Sequence, residues 1–436
     1  MAGQQVNPPR GMRDFLPAEK AKRERVLRII RDTYRAHGFD EIETPVMEDS
    51  DRLHAGLGGD NEKLAFAVMK RGLGVDDLHA AEAPLDLADL GLRYDLTVPL
   101  ARFYASHRAE LPAVFRSLQL GSVWRAERPQ KGRYRQFVQT DVDILGEPGI
   151  RAEAELVTAS LAVLEALGLG EASIRVNDRR LLEGMLRGFG FPDAELPGVL
   201  ITVDKLDKIG PDGVAAELRE RGAPTGAVEA FEAFLRRPQT REFLPFGDAH
   251  IRKRLPEGAD EAVIADLVAL GEAVAAARSA SGSDPAAPVA PPLVFDPFLV
   301  RGMGYYTGPI FEVAHPSVGY SIGGGGRYDG MVGRFLGSEV PATGFSLGFE
   351  RLIDLVELPE TAAEQIALVH DAEAPVAPLL RLQAALVAGG ARVRLVGRAR
   401  NTKAQLDALA AEGFTRFAFV GAEVPDPAAL DLKPLG

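Results

Sequence analysis

The sequence predicts an α+β chain in which paired strands carry the chemistry and helices flank or interrupt them. Three observations lead there. At 113–146, "SLQLGSVWRAE" and "RQFVQTDVDIL" alternate in strand fashion on either side of a charged, glycine-containing loop near 128–133, the pattern of a long hairpin. At 176–275 the chain is helix-rich and has no strand pairs of its own, so it reads as an insertion. Beyond about residue 360 strand and helix patterns alternate, which predicts a small parallel-type sheet.

Each element has its local reason. "AEKAKRERVLRIIRDTYRAHGF" (18–39) sets Val26, Ile29, Ile30 and Tyr34 at helical spacing and stops at Gly38, a C-terminal cap signal. "DEIETPVME" predicts a strand alternating Ile42, Thr44 and Val46, and Pro45 confines it to an edge or a break. "GLRYDLTVPLARFYASH" (91–107) predicts a turn, a short strand and a helix, and "GIRAEAELVTASLAVLEALGL" (149–169) an amphipathic helix. "ARSASGSDPAAPVAPP" (277–292) closes the insertion as a linker whose composition buries too little surface to order itself. Strand patterns return in "LVFDPFLVRGMGYYTGPIFEVAH" and "YSIGGGGRYDGMVGRF", although the four glycines of the second suggest a loop against which something packs. "ATGFSLGFERLIDLVEL" predicts a turn leading into a helix. The expected divisions are a core at 1–175 and 291–358, an insertion with its linker at 176–290 and a unit at 361–436.

Bulk properties exclude several classes. The 436 residues suit two or three domains, and 46% hydrophobic with 26% charged residues is the composition of an ordinary soluble protein. With no Cys there is no disulfide framework, thiolate nucleophile or thiolate metal site, which fits a reducing cytosol. "MAGQQVNPPRGMRDFLP" lacks the apolar stretch of a signal peptide, and no run approaches the ~18 apolar residues of a membrane span. A net charge of −12 excludes nucleic-acid binding over the whole surface, so any such contact needs a local basic patch.

Four stretches concentrate chemistry, and each admits two readings. "WRAERPQKGRYRQFVQTDVD" (124–143) is a solvated hairpin tip or an anion cradle. In the cradle reading, Arg forks match phosphate oxygens, Phe137 stacks on a base and Glu127 accepts from an exocyclic amine. Those are the parts of an ATP site without a P-loop, and no G-x-x-x-x-G-K-[ST] occurs in the chain. "RGMGYYTGPIFE" (301–312) is a half-buried strand or a ligand contact with close backbone approach. "GGGGRYDG" (323–330) is a flexible turn or a tightly packed loop followed by Arg327, Tyr328 and Asp329. In "GFSLGFERL" (344–352) the Arg is a salt-bridged cap or a phosphate clamp.

Together these stretches resemble the class II aminoacyl-tRNA synthetases, and specifically the histidyl-tRNA synthetase family. "GFDEIETPVME", "RAERPQKGRYRQF" and "GFSLGFERL" resemble motifs 1, 2 and 3 in the correct order. "RGMGYYTG" and "GGGGRYDG" resemble the two histidine-recognition segments, and "PRGMRDFLP" the family's opening. The resemblance implies an antiparallel sheet of six to seven strands flanked by helices, a helical insertion and a small C-terminal α/β domain. It implies ligation of L-histidine to tRNA(His) through a histidyl-adenylate, with ATP and Mg2+, by a homodimer that places motif 1 at its interface. By the same resemblance Arg125 would hold the α-phosphate, Glu127 the adenine end, Arg133 and Arg351 the outer phosphates, and Phe137 would stack on adenine. Asp95 and Thr97 would take the histidine α-amino group, and Gln139 and Asp143 would line its pocket with Tyr305, Tyr306 and Tyr328. Arg301 would meet the substrate carboxylate and the α-phosphate, and no metal ligand is assigned.

Two features depart from the family's pattern. Gly304 stands where Asp is more usual, and the C-terminal unit, which resembles an anticodon-binding domain, stops at "DLKPLG", earlier than usual. That unit carries a basic cluster, Arg381, Arg392, Arg394, Arg398, Arg400 and Lys403, which either meets phosphates or solvates its surface. Two other functions share the motifs. One is a histidine-binding, non-ligating regulatory subunit of ATP phosphoribosyltransferase, which generally lacks the C-terminal domain and parts of the ATP motifs; this chain keeps Arg125, Glu127, Arg133, Arg301 and Arg351. The other is an enzyme that activates histidine for a carrier other than tRNA.

Overall fold

The computed structural model describes residues 6–54, 64–129, 133–237, 246–280, 292–301, 306–358 and 364–435. The chain divides into two compact units, Met1–Asp14 with Arg23–Glu357, and Phe15–Lys22 with Leu358–Gly436. Helix α1 (Pro17–Ala36) buries Arg23, Val26, Ile30 and Tyr34 in three- and four-residue steps, and Gly38 in the left-handed region (φ 84°) follows its end. The next segment is not the single strand that its alternation predicts. It splits into β1 (Asp40–Glu41) and β2 (Met47–Asp49), which join different sheets. Pro45 lies in the gap and has no N–H for a ladder. Arg93 holds the gap instead, donating to the carbonyls of Thr44 (2.8 Å) and Pro45 (3.4 Å).

Helix α2 (Ser50–His54), β3 (Phe66–Met69), α3 (Val75–Ala80) and β4 (Ala88–Leu92) follow, and β2, β4 and β3 pair in that order as a small antiparallel sheet. After α4 (Thr97–His107) comes the expected hairpin, β5 (Phe115–Trp124) and β6 (Gln136–Leu145), registered from Phe115 opposite Leu145 to Trp124 opposite Gln136. Then come α5 (Arg151–Ala166) and β7 (Ser173–Asp178). The described residues from β7 to the next strand are helical: α6 (Arg179–Phe189), α7 (Leu196–Val203), α8 (Leu206–Glu220), α9 (Thr225–Leu235), α10 (Asp248–Lys253) and α11 (Glu261–Ala280). Leu186, Val214, Phe231 and Phe234 gather helices α6 to α9 around one apolar cluster. The unit is completed by β8 (Leu293–Phe295), β9 (Pro309–Ala314), β10 (Gly323–Arg327), α12 (Asp329–Leu336), β11 (Ala342–Gly348) and α13 (Phe349–Leu352).

The main sheet runs β1-β5-β6-β11-β10-β9-β7-β8. Every described pairing in it is antiparallel except the two edges, β1 with β5 and β7 with β8. It has eight strands where six to seven were expected, and the excess is the short edge strands of two and three residues. The glycine run forms β10 at the centre of the sheet, as the strand pattern of its stretch predicts, and not the loop that its glycines suggest. Glycine is disfavoured in strands, but here close packing demands it, since a Cβ on Gly325 would lie 1.9 Å from the carbonyl oxygen of Gly344.

The smaller unit has the predicted strand–helix alternation. It contains β12 (Gln365–His370), α14 (Val376–Ala388), β13 (Arg392–Gly397), α15 (Thr402–Ala411), β14 (Arg416–Val420) and β15 (Lys433–Pro434). Strands β13, β12 and β14 are parallel and β15 adds antiparallel, with Ile366, Leu368, Leu379 and Val420 in the core. Part of the basic cluster is neutralised within the unit. Arg394 pairs with Glu412 and Arg398 with Asp371, and their guanidiniums cover the rings of Phe414 and Phe419.

A buried charge cluster ties the larger unit together. Glu350 of α13, 6% exposed, accepts both Nη groups of Arg23 at 2.7 and 2.6 Å, Nη2 of Arg13 at 2.7 Å and the Val138 N–H at 3.2 Å. The N-terminal segment, α1, β6 and α13 therefore meet on one carboxylate. Removing one partner of a buried pair leaves the other charge uncompensated. Arg23→Met is expected to lower the unfolding free energy by about 3 kcal/mol, read as a shift of the urea midpoint at fixed protein concentration. A shift under about 0.5 kcal/mol would mean that the cluster is not a stability determinant.

Candidate active site

The hairpin builds the site because a strand alternates its faces. Phe137, Gln139, Asp141 and Asp143, two apart on β6, line a cleft of about 340 Å³, while Val142 and Ile144 are fully buried and do not. The hairpin tip supplies Arg125, Glu127 and Arg133 to the same cleft, and the start of α4 with the turn before it supplies Thr97 and Asp95. Arg301 and Tyr306 precede β9, Tyr328 follows β10 and Arg351 lies on α13. All the predicted site residues that the structure describes thus line one cleft. Tyr305 and Gly304 lie outside the described residues.

One end of the cleft is acidic and buried. Asp95, Asp141 and Asp143 are each 5% exposed or less. Burial pushes Asp95 up to about 6, against the N–H groups of Val98 and Thr97 and the nearby Arg125 charge, which favour ionisation. Burial, with Asp95 close by, pushes Asp141 to about 7 despite a hydrogen bond from Ser346. Burial and the neighbouring Asp141 hold Asp143 well above the ordinary carboxylate range. Tyr328 donates to Asp143 Oδ1 at 2.5 Å, and Gly344 leaves room for that oxygen, since a Cβ there would lie 2.0 Å from it. The Gln139 amide donates to Asp141 and Ser346 at 3.3–3.4 Å. Asp95 Oδ2, Asp143 Oδ2 and Gln139 Oε1 are buried without a hydrogen-bond partner among the described residues.

The other end is cationic. Arg125 is anchored by Nε to the Tyr94 carbonyl at 2.9 Å and lies 5.1 Å from the centre of the Phe137 ring. Arg133 Nη1 is 3.6 Å from Glu127 Oε2. Arg351 donates to the Ser321 carbonyl at 2.7 Å. Burial first, then the positive fields of Arg133 and Arg301, lowers its proton affinity. Repelling cations held this close form a site for an anion. Sequence reasoning passed over Asp141, Ser346 and Glu350, which also line the cleft. The alternation that exposed Gln139 and Asp143 also exposes Asp141, and Ser346 is its cross-strand neighbour. Among the described residues no group of three or more His, Asp or Glu side chains is arranged to hold a metal ion.

The raised carboxyls make a pH prediction. Each keeps its proton in the folded chain after the unfolded chain has ionised, so folding stability falls as pH rises from about 4 through the raised values near 6 and 7. Asp141→Asn removes one of these groups. The margin of its thermal midpoint over the parent's is expected to grow from about pH 4 to about pH 8. Midpoints that run parallel across that range would contradict the assignment.

Comparisons with known proteins agree with this geometry. The family model described as histidyl-tRNA synthetase matches residues 11–352. A histidine–tRNA ligase of Leifsonia xyli subsp. xyli is 58% identical over 439 residues, covering 99% of this chain and 98% of that one. A histidine–tRNA ligase of Aeropyrum pernix is 41% identical, covering 81% of this chain and 75% of that one. Among solved structures, the histidyl-tRNA synthetase of Nostoc sp. PCC 7120 superposes with a TM-score of 0.76 at 27% identity, covering 99% of this chain and 95% of that one. A Bacillus halodurans structure, titled as an ATP phosphoribosyltransferase regulatory subunit/histidyl-tRNA synthetase, has a TM-score of 0.74 at 19% identity over 96% of this chain and 99% of that one, and so shares the fold. With its motifs converging on one cleft and relatives matched end to end, the chain belongs to the histidyl-tRNA synthetase family.

Proposed function

We propose that this cleft activates L-histidine with ATP and passes it to tRNA(His), the two halves of class II aminoacyl-tRNA synthesis. The observation that carries the reading is the polarity of the cleft. Three buried acceptors, on Asp95, Gln139 and Asp143, lack partners among the described residues at one end, and Arg133 and Arg301 repel Arg351 at the other. An amino acid with an α-ammonium and a ring N–H suits the first, and a polyphosphate suits the second. Asp95 and Thr97 take the ammonium, and Gln139, Asp143, Tyr306 and Tyr328 hold the imidazole. Tyr328, already donating to Asp143, fixes the carboxyl that faces the ring. Phe137 stacks on adenine, Glu127 accepts from its amine, Arg125 holds the α-phosphate, and Arg133 and Arg351 hold the outer phosphates. ATP would enter as its Mg2+ complex, the metal offsetting negative charge on the phosphates.

The chemistry asks little beyond this. A carboxylate oxygen of histidine attacks the α-phosphorus in line. The bond to the bridging oxygen breaks, and pyrophosphate leaves with the electron pair. No protein nucleophile takes part, so the chain contributes positioning and charge stabilisation. Arg301 meets the charge that develops on the α-phosphate and the incoming carboxylate. A hydroxyl at the tRNA acceptor end then attacks the activated carbonyl and AMP departs. The regulatory-subunit and alternative-carrier readings are not favoured, because relatives matched over 99% of this chain are histidine–tRNA ligases. The smaller unit is proposed to contact tRNA, and a homodimer through α1 and β2 follows the family's arrangement. No described helix is long and apolar enough to cross a membrane, and the proposed substrates place the work in the cytoplasm.

Histidine-dependent exchange of pyrophosphate into ATP tests the first half-reaction. Arg301→Ala is expected to lower its rate about 10²–10³-fold while histidine binding stays measurable by calorimetry. Exchange at the parent rate would remove Arg301 from the chemistry. Asp143→Ala is expected to weaken histidine binding by at least about 100-fold and ATP binding by less than about threefold, and equal losses would mean that the two ends are misassigned.

A further inference from the structure

Arg301 follows a loop whose supports come largely from β7, a strand with no residue in the cleft. Asn177 of β7 is fully buried and donates from Nδ2 to the carbonyls of Pro297 at 3.0 Å and Leu299 at 3.1 Å. Asp296 closes the same turn. Its Oδ1 accepts from the Phe298 N–H at 3.0 Å and its Oδ2 from Arg175 Nε at 2.9 Å. Arg175 stands opposite Glu312 in the β7–β9 register and donates from Nη1 to Glu312 Oε1 at 2.7 Å. Glu312 Oε2 in turn accepts from Arg301 Nη1 at 3.3 Å. A continuous chain of charge-assisted contacts, Asp296–Arg175–Glu312–Arg301, thus runs from the base of the loop to its end. Asp207 of α8 adds a contact to Arg175 at 3.6 Å, at the rim of a polar pocket of about 140 Å³.

The chain has a direction. A carboxylate facing one guanidinium prefers the bidentate fork, which occupies two N–H groups. Here Arg175 takes one Glu312 oxygen, so Glu312 meets Arg301 through the other alone. We propose that Arg175 is a positioning residue for adenylate formation. By taking up one Glu312 oxygen, it keeps that carboxylate from closing a bidentate fork on Arg301. Arg175 touches neither substrate. The proposal rests on the role given to Arg301 above, and it assigns part of the catalytic geometry to a strand outside the cleft.

The test measures steady-state histidine-dependent pyrophosphate exchange in the full-length protein for Arg175→Met, Arg175→Lys, Glu312→Gln and Arg301→Ala, and for Arg175→Met and Glu312→Gln each combined with Arg301→Ala. Thermal unfolding of each variant serves as a folding control. Arg175→Met and Glu312→Gln are expected to lower kcat about 10–100-fold, the scale of a displaced reacting group, with KM for histidine and ATP within about threefold of the parent. Arg175→Lys keeps the charge without the two-sided fork and is expected to recover part of the loss, and this variant decides the matter if Arg175→Met does not fold. In the Arg301→Ala background neither substitution should lower the rate further, because both act through a group already removed. Losses that multiply in the double variants, a rise in KM equal to the fall in kcat, or parental exchange in the single variants each overturn the proposal. Parental exchange in Arg301→Ala itself would refute the role of Arg301, and the positioning role falls with it. Loss in Arg301→Ala with none in Glu312→Gln would refute the positioning role alone.

Discussion

Keeping Asp95, Asp141 and Asp143 out of water is the constraint around which this cleft is organised. Three ionised carboxylates in one buried wall repel one another and forgo solvation. The fold tolerates them by supplying hydroxyl donors from Tyr328 and Ser346, by baring the backbone at Gly344, and by leaving the carboxyls partly protonated. Among the described residues it does not set an equal number of cations against them. In the proposed reading, a substrate that brings an ammonium and a ring N–H fills that deficit. Specificity follows, because a ligand without those donors leaves buried acceptors unpaired. In the same reading the cationic end mirrors this arrangement, since phosphate oxygens would relieve the repulsion that Arg133 and Arg301 exert on Arg351.

The same strands that crowd the charges also fix their positions. Asp141 and Asp143 cannot retreat, because β6 is paired along its length with β5 and β11. Arg351 projects from a four-residue helix in which the residue before it, Glu350, is bound by two arginines and a backbone N–H. One dipeptide therefore joins the buried charge cluster of the unit to the anion end of its cleft. Arg301 is different. Arg175 of β7 reaches it through Glu312 of β9.

Much of this was legible in the sequence, for reasons that differ by element. The hairpin was legible because strand alternation continues on both sides of its charged tip, and the spaced motifs located both ends of the cleft. The fate of the motif 1 segment was not. Its alternation is sound, but Pro45 cannot serve a ladder and Arg93, distant in sequence, holds the break. The glycine run misled because its strand is set by the close approach of β9 and β11, a tertiary demand that no local preference records. Asp141 was available in the alternation of β6 but lay outside the resemblance to the family's motifs. Arg175 and Glu312 are 137 residues apart, and their pairing emerges only when β7 and β9 are in register.

The central claim, that unpartnered buried carboxylates at the acidic end select the substrate, is tested most directly by comparing the affinities of L-histidine and 3-(imidazol-4-yl)propionate, its analogue without the α-amino group, by calorimetry at one pH. A site with Asp95 waiting for an ammonium is predicted to bind the analogue about 10⁴-fold more weakly, the discrimination typical of a pocket left with unpaired polar groups. Affinities within about tenfold of each other would contradict the account, because the buried carboxylates would then contribute little to recognition.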